Sequence, residues 1–401
     1  MDIFIARQPI FDGNQKVYGY EILYRESLEN KFNNTEPDKA TTNVLLNSFD
    51  TFGIETLTNK KLAFVNITSQ LLKEEILEIF PKKSLVVELK LSDFEDSDNL
   101  KYLKDLKRKN YKISIDNFSV NFSYDLVKEY ADIVKIDFHK FPKDKINEIV
   151  KKLKSSNVKL IAEKVETNED FEYAKNLQFD YFQGFFFKEP EILSSQDLAP
   201  LKISYLQLLI KINEDDLDLI EISNIVSRDL GLTYRLLKMV NTLAFSLRRE
   251  VDSVKEALIL LGEVKTRKWI SLIVLTELSN DRPEELVRTS LIRAKFAELL
   301  TLKSDFENKS EILFLSGLFS LIDVILKRPL DEILNELNIS KEVKDSLLDE
   351  DNYLNRFLNI IVSYEKGNWN DVSKYAQEFD IKPEEISDCY MNSLAWYLKI
   401  V

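Results

Sequence analysis

The chain has 401 residues, more than one hydrophobic core usually organises, so two domains are expected. Hydrophobic residues make up 44% and charged residues 31%, and no apolar run approaches the roughly 20 residues that span a bilayer, so the sequence reads as globular with no membrane span. The net charge of -13 argues against bulk nucleic-acid binding, and the single cysteine, Cys389, excludes an internal disulfide and any zinc site built from several thiolates.

The N-terminus, Met1-Asp2-Ile3-Phe4, lacks a basic stretch followed by an apolar core and small cleavage residues. No secretion signal is read there, and a cytoplasmic location is expected. Two β-prone runs follow, Phe4 to Phe11 and Val17 to Tyr24, on either side of the turn signal Asp12-Gly13-Asn14. The first strand is therefore expected to run antiparallel.

Further apolar, β-prone runs cover Leu62 to Ile67, Leu85 to Leu89, Lys112 to Ile115, Ile133 to Ile136, Lys159 to Ala162 and Tyr181 to Phe187. Amphipathic helical stretches lie between them: Ser69 to Phe80, Asp98 to Lys109, Tyr124 to Tyr130, Lys143 to Leu153 and Asn168 to Leu177. The cluster Lys101, Lys104, Lys107, Arg108 and Lys109 sits on the wet face of one of these helices, beside Leu100, Leu103 and Leu106. Strand and helix alternating this many times predict a parallel sheet closed into a modified (β/α)8 barrel with an antiparallel first strand.

One acidic or amide side chain recurs at the end of each short apolar run: Glu21, Asn66, Glu88, Asp116, Asp137, Glu163 and Gln183. In such a barrel the strand ends converge on one face, so residues far apart in sequence can share a site. Packed carboxylates repel one another unless a cation occupies their centre. Oxygen donors without His or Cys select hard ions, Mg²⁺ or Mn²⁺, over Zn²⁺.

The segments Gln8-Pro9-Ile10, Glu21-Ile22-Leu23-Tyr24-Arg25, Val65-Asn66-Ile67, Val87-Glu88-Leu89, Asp116-Asn117-Phe118, Lys135-Ile136-Asp137, Ala162-Glu163-Lys164-Val165-Glu166-Thr167 and Gln183-Gly184-Phe185 resemble, in order, the successive motifs of EAL domains. That resemblance implies a domain that hydrolyses cyclic di-GMP to pGpG with Mg²⁺ or Mn²⁺. It implies Glu21, Asn66, Glu88 and Asp116 as ligands of a first metal, with Asp137 nearby. Lys135 would help place the attacking water, Glu163 would act as general base or second-metal contact, and Gln8, Arg25 and Gln183 would hold the ligand.

The sequence also departs from the pattern. Asn117 stands where active members carry a second aspartate, Leu91 where they carry a second Glu, and Lys164 where Gly is usual. Ser119-Val120-Asn121-Phe122-Ser123 lacks the family's Gly-Thr-Gly loop, and Lys188-Glu189-Pro190 lacks the expected basic residue immediately before Pro190. These departures predict a degenerate domain that binds ligand or a partner with weak or absent turnover. The alternative is a working cyclic di-GMP phosphodiesterase.

From Asp197 the strand signal fades, and helices are expected over Leu201 to Ile212, Asp218 to Ser227 and Thr233 to Val240, with Gly231 ending one helix and Thr233 capping the next. Arg228-Asp229-Leu230-Gly231-Leu232, Leu236-Leu237-Lys238-Met239-Val240-Asn241 and Ala257-Leu258-Ile259-Leu260-Leu261-Gly262 resemble an HDOD domain. That resemblance implies an all-helical relative of the HD phosphohydrolases that makes protein contacts. His139 is the only histidine in the chain, so HD-type metal hydrolysis is excluded. His139 itself reads as a loop residue, Asn241 and Gly262 as helix packing and turning positions, and Trp269, Trp369 and Trp396 as core filling. The expected domains are 1–195 and 196–401. The expected partners are cyclic di-GMP, a protein bound through the helical half, and a second copy in a homodimer.

Overall fold

The computed structural model describes residues 4–25, 54–73, 77, 81–94, 97–119, 123–188, 200–214, 217–243, 251–279, 282–337, 339–349 and 351–400. Eight strands close into a barrel in chain order: β1 (Phe4–Asp12), β2 (Val17–Arg25), β3 (Leu62–Asn66), β4 (Leu85–Lys90), β5 (Lys112–Asp116), β6 (Ile133–Asp137), β7 (Lys159–Glu163) and β8 (Tyr181–Gln183). As expected, β1 runs antiparallel to both neighbours, β2 and β8, and the remaining pairs are parallel. The hairpin between β1 and β2 turns at the expected signal, with Gly13 and Asn14 at the tip and the Gln15 N–H donating to Asp12 O at 3.0 Å. Asp12 Oδ1 accepts the Asn14 and Lys16 N–H groups, and Gln15 takes the left-handed conformation at φ 58°.

The period of a strand explains how the barrel interior is layered. Alternate residues face inward, and Ile10, Phe64, Val86, Ile133 and Ile161 form one buried apolar cluster. Two positions further along β3, β4, β6 and β7 come Asn66, Glu88, Lys135 and Glu163. An apolar floor therefore carries a polar layer directly above it. The connecting helices bury the face that their spacing predicts. In Lys143–Leu153, Ile146, Ile149, Val150 and Leu153 are buried while Lys151 and Lys152 lie on the wet side.

The expected strand over 181–187 stops at Gln183, and Phe186–Lys188 forms a 3-10 turn. Packing overrides strand propensity here, because the Phe186 ring stacks on Phe171 with centroids 4.6 Å apart and meets Phe11 edge-on.

The chain forms two compact units, Met1–Glu189 together with Asn359–Val401, and Pro190–Leu358. The sequence-based division placed residues 359–401 in the helical half, whereas the fold packs them on the barrel. The Ile5 N–H donates to Tyr364 Oη at 3.2 Å, and the fully buried Tyr364 ring packs against Tyr390 and Trp369. Helix Pro383–Ile400 lies against β1 and helix Ile54–Thr58.

The second unit is helical throughout its described residues and includes Pro200–Ile212, Leu219–Val226, Leu230–Leu243, Val254–Leu278, Glu284–Thr301 and Ser310–Phe319. The cap expected at Thr233 lies earlier. Helix Leu230–Leu243 begins after Asp229, whose Oδ1 accepts the Leu232 N–H, so Gly231 falls in the first turn. Gly262 turns the long helix Val254–Leu278 at φ 74°, a conformation that favours glycine. Asn241 clamps the returning chain, donating to Val251 O at 2.9 Å and accepting the Val251 N–H at 2.8 Å. Trp269 is buried in this unit, as the core reading expected. Among the described residues no helix is long and apolar enough to cross a membrane.

Candidate functional site

The polar layer converges on one lysine. Lys135, 1% exposed, places Nζ 2.8 Å from Glu21 Oε2, 2.9 Å from Glu88 Oε1 and 2.9 Å from Glu163 Oε1. These side chains reach one another because β2, β4, β6 and β7 each deliver one inward residue at the same height. Glu21 is fixed further by Gln183 Nε2, which donates to its Oε2 at 2.6 Å, and by Asn66 Nδ2, which donates to Oε1 at 3.1 Å. Gln183 also donates to Gln8 Oε1 at 2.9 Å.

Burial and charge pull in opposite directions across this cluster. Burial depresses the Lys135 ammonium, but Glu21, Glu88, Glu163 and Asp116 outweigh it and hold the pKa well above the ordinary lysine value. Burial raises the Glu21 carboxyl, yet Lys135 and the Gln183 and Asn66 amides bring it below the usual value. For Glu88 and Glu163 burial wins over Lys135, helped by repulsion from Asp116 and Glu21, so both carboxyls lie above the usual range.

Asp116 and Asp137 stand one layer higher, at the mouth. Both oxygens of Asp116 accept from Asn117: Oδ1 from the backbone N–H at 2.8 Å and Oδ2 from the side-chain amide at 2.7 Å. Asp137 Oδ2 accepts from Lys164 Nζ at 2.7 Å, and its Oδ1 accepts the His139 N–H at 2.8 Å. Burial raises the Asp137 carboxyl, but these two contacts carry it below its ordinary value. Asn117 and Lys164 both adopt left-handed backbone, at φ 56° each. His139 is exposed, as a loop residue should be.

The fold thus brings Gln8, Glu21, Asn66, Glu88, Lys135, Glu163 and Gln183 into one connected cluster, with Asp116 and Asp137 at its rim. The backbone of Arg25 ends β2 opposite Phe4, while its side chain lies outside the described residues. Residues 120–122 and the side chain of Lys188 lie outside them too. Leu91 opens a short 3-10 helix after β4. The Lys164–Asp137 pair was missed from sequence, where Lys164 registered only as a replacement for glycine. A left-handed backbone at Lys164 turns its side chain to Asp137, and nothing in the apolar spacing signals it.

Among the described residues no group of three or more His, Cys, Asp or Glu side chains is arranged to hold a metal ion. The carboxylates gather on the Lys135 ammonium instead. The donor chemistry nonetheless fits a hard divalent ion. Glu21, Asn66, Glu88 and Asp116 offer only oxygen ligands of the kind such ions take, and Glu88 Oε2 is a buried carboxylate oxygen with no hydrogen-bond partner.

Beside this cluster lies a cavity of about 1010 Å³, lined by residues that include Leu23, Asn66, Ser69, Lys73, Lys90 and Trp369. Asn66 belongs to both. Trp369, read from sequence as core filling, is half-buried and faces this cavity.

Comparison with known proteins agrees with this architecture. The EAL domain family matches residues 2–190, and the HDOD domain family matches residues 198–355. The Bacillus subtilis protein YuxH is 35% identical over 405 residues, covering 99% of this chain and 98% of that protein. The Vibrio cholerae protein named cyclic di-GMP phosphodiesterase CdgJ is 28% identical over 397 residues, covering 98% of this chain and 92% of that protein. A solved structure of the Bacillus subtilis YkuI protein, with an EAL domain and in complex with substrate c-di-GMP and calcium, is 20% identical with a TM-score of 0.40, covering 66% of this chain and 74% of that one. A closed barrel with an inverted first strand, a helical second unit and a full-length match to YuxH lead to one assignment: the chain belongs to the family of two-domain proteins in which an EAL domain is followed by an HDOD domain.

Proposed function

We propose that this protein is a cytoplasmic cyclic di-GMP signalling protein whose EAL barrel binds the dinucleotide with a divalent ion and hydrolyses it weakly or not at all. The observation that carries the weak-turnover reading is the pairing at the mouth. Asn117 occupies both oxygens of Asp116, and Lys164 occupies Asp137. A second aspartate at 117 would add negative charge for a second ion, whereas the amide adds none and Lys164 brings a positive charge of its own.

Glu21, Asn66, Glu88 and Asp116 would hold the first ion, Mg²⁺ or Mn²⁺, with Asp137 nearby. Such an ion polarises a phosphoryl oxygen and lowers the pKa of water. Lys135 then acts as fixed positive charge that keeps Glu21 ionised and oriented, and Glu163, its carboxyl raised by burial, serves as the proton acceptor or as a contact to a second ion. Gln8 and Gln183 orient Glu21, and together with Arg25 they form the ligand-holding set. The HDOD unit, without histidine, makes protein contacts and supports a homodimer.

The second reading, an active phosphodiesterase, is favoured by the CdgJ relative, whose match runs through both domains. The two readings separate when the purified full chain is given cyclic di-GMP with Mn²⁺, and in parallel with Ca²⁺ in a calorimeter. Binding in Ca²⁺ with little pGpG in Mn²⁺ is the expected result. Asn117→Asp should then raise hydrolysis at least about tenfold, the size of effect that one charge-stabilising group supplies. Robust conversion by the unmodified protein would establish the second reading instead.

A further inference from the structure

We propose that the C-terminal segment 359–401 is part of the nucleotide site, with Trp369 forming an aromatic wall that receives a purine ring of the ligand. This inference rests on the cyclic di-GMP reading above and adds a determinant from outside the EAL match, which ends at residue 190, and outside the HDOD match, which ends at 355.

The cavity beside the carboxylate cluster is built from two distant stretches of chain. The ends of β2, β3 and β4 supply Leu23, Asn66 and Lys90, and the turn after helix Tyr353–Glu365 supplies Gly367 and Trp369. That turn is fixed by its own backbone. The Gly367 N–H donates to Tyr364 O and the Asn368 N–H to Ser363 O, closing the helix with Gly367 at φ 67°. A Cβ at 367 would stand 3.2 Å from Leu23 Cδ1, so glycine lets the turn approach β2 closely. The next residue but one, Trp369, begins helix Trp369–Glu378, and its ring is held edge-on by Tyr364 with centroids 5.2 Å apart. Tyr364 is in turn anchored to β1 through Ile5.

The chemistry of the remaining lining suits an anionic aromatic ligand. Lys73 and Lys90 bring positive charge to the cavity. Among the described lining residues the one carboxylate, Asp93, is already occupied by the Ser69 hydroxyl at 2.6 Å and the Lys90 N–H at 2.9 Å. An indole face, two ammonium groups and a volume of about 1010 Å³ adjoining Asn66 match a purine dinucleotide whose phosphate reaches the polar layer. The barrel without residues 359–401 would lack this wall.

The test uses the full chain with cyclic di-GMP in Ca²⁺. Trp369→Ala should weaken affinity about tenfold, and Trp369→Phe, which keeps an aromatic face, should stay within about threefold of the parent. In a Trp269→Phe, Trp396→Phe background Trp369 is the only indole, and its emission should change on saturation with ligand. This readout decides the matter even where Trp369→Ala unfolds. Unchanged emission, or unchanged affinity in a folded Trp369→Ala protein, overturns the proposal while leaving the cyclic di-GMP reading intact. Failure of the parent protein to bind cyclic di-GMP overturns both, and calorimetry of the parent distinguishes that outcome.

Discussion

A lysine ammonium with 1% exposure is tolerated inside this barrel because Glu21, Glu88 and Glu163 each bring an oxygen within 2.9 Å of it. Removing the cation while leaving the carboxylates is the costly change, since it strands buried charge without a partner. Lys135→Met is expected to lower stability at neutral pH by about 3 to 5 kcal/mol. The loss should shrink on acidification. Glu88 and Glu163 are already raised by burial and lose their main opposing charge with the lysine, and a carboxyl raised in the fold stabilises most below the unfolded pKa and loses that contribution as pH rises through the folded one. Denaturant midpoints of parent and variant at pH 7.5 and pH 5.5 check this (on the order of the range where such raised carboxyls titrate). A gap that widens at the lower pH would contradict the caged-lysine account. Much of this layer was legible in the sequence, because Asn66, Glu88 and Glu163 each close a short apolar run, while Lys135 was marked by the resemblance to EAL motifs. The Lys164–Asp137 pair was not legible. It depends on a left-handed backbone at 164 that folds a side chain across 27 positions, and no periodicity reports such a turn.

At the scale of elements, Asp180 joins three pieces of the barrel ahead of β8. It accepts from Lys154, just past helix Lys143–Leu153, at 2.8 Å, from Lys159 at the start of β7 at 2.9 Å, and from the Leu160 N–H at 2.9 Å. Burial raises its carboxyl, but these donors outweigh burial and hold the pKa below the ordinary value. A carboxyl lowered in the fold stabilises above its unfolded pKa, near 3.9 (about the value of a free Asp), and that contribution is lost as pH falls through the folded value. Asp180→Ala is expected to cost about 1 to 2 kcal/mol at neutral pH, a discounted figure because both lysines are partly exposed. Parent and variant should converge in thermal stability as pH drops below about 4. A constant difference down to the acid limit would show that the ionised carboxylate is not what joins these elements. Strand and helix types were readable here from apolar spacing alone. The premature end of β8 was not, because aromatic packing between Phe171 and Phe186 decides it.

For the whole molecule, the least legible feature is the return of residues 359–401 to the barrel. Helical periodicity identifies an apolar face but carries no address for the surface that face covers. Among the contacts that hold the return is a hydrogen bond from Ile5 to Tyr364 inside a cluster of aromatic rings. Tyr364→Phe removes the acceptor and is expected to cost about 1 to 3 kcal/mol, as for a buried N–H left unpaired. Amide exchange at Ile5 should quicken, while exchange in helix Glu284–Thr301 of the other unit should not change. Unaltered protection at Ile5 would show that the ring cluster alone holds the segment.

The same bond sets a schedule for biosynthesis. Ile5 leaves the ribosome 359 residues before the tyrosine that accepts its proton. At roughly 5 to 20 residues per second, that interval is on the order of 20 to 70 s. Through that time β1, already able to pair with β2 and β8, lacks the Tyr364 cover over Ile5, so the barrel precedes the helical unit in translation yet is completed after it.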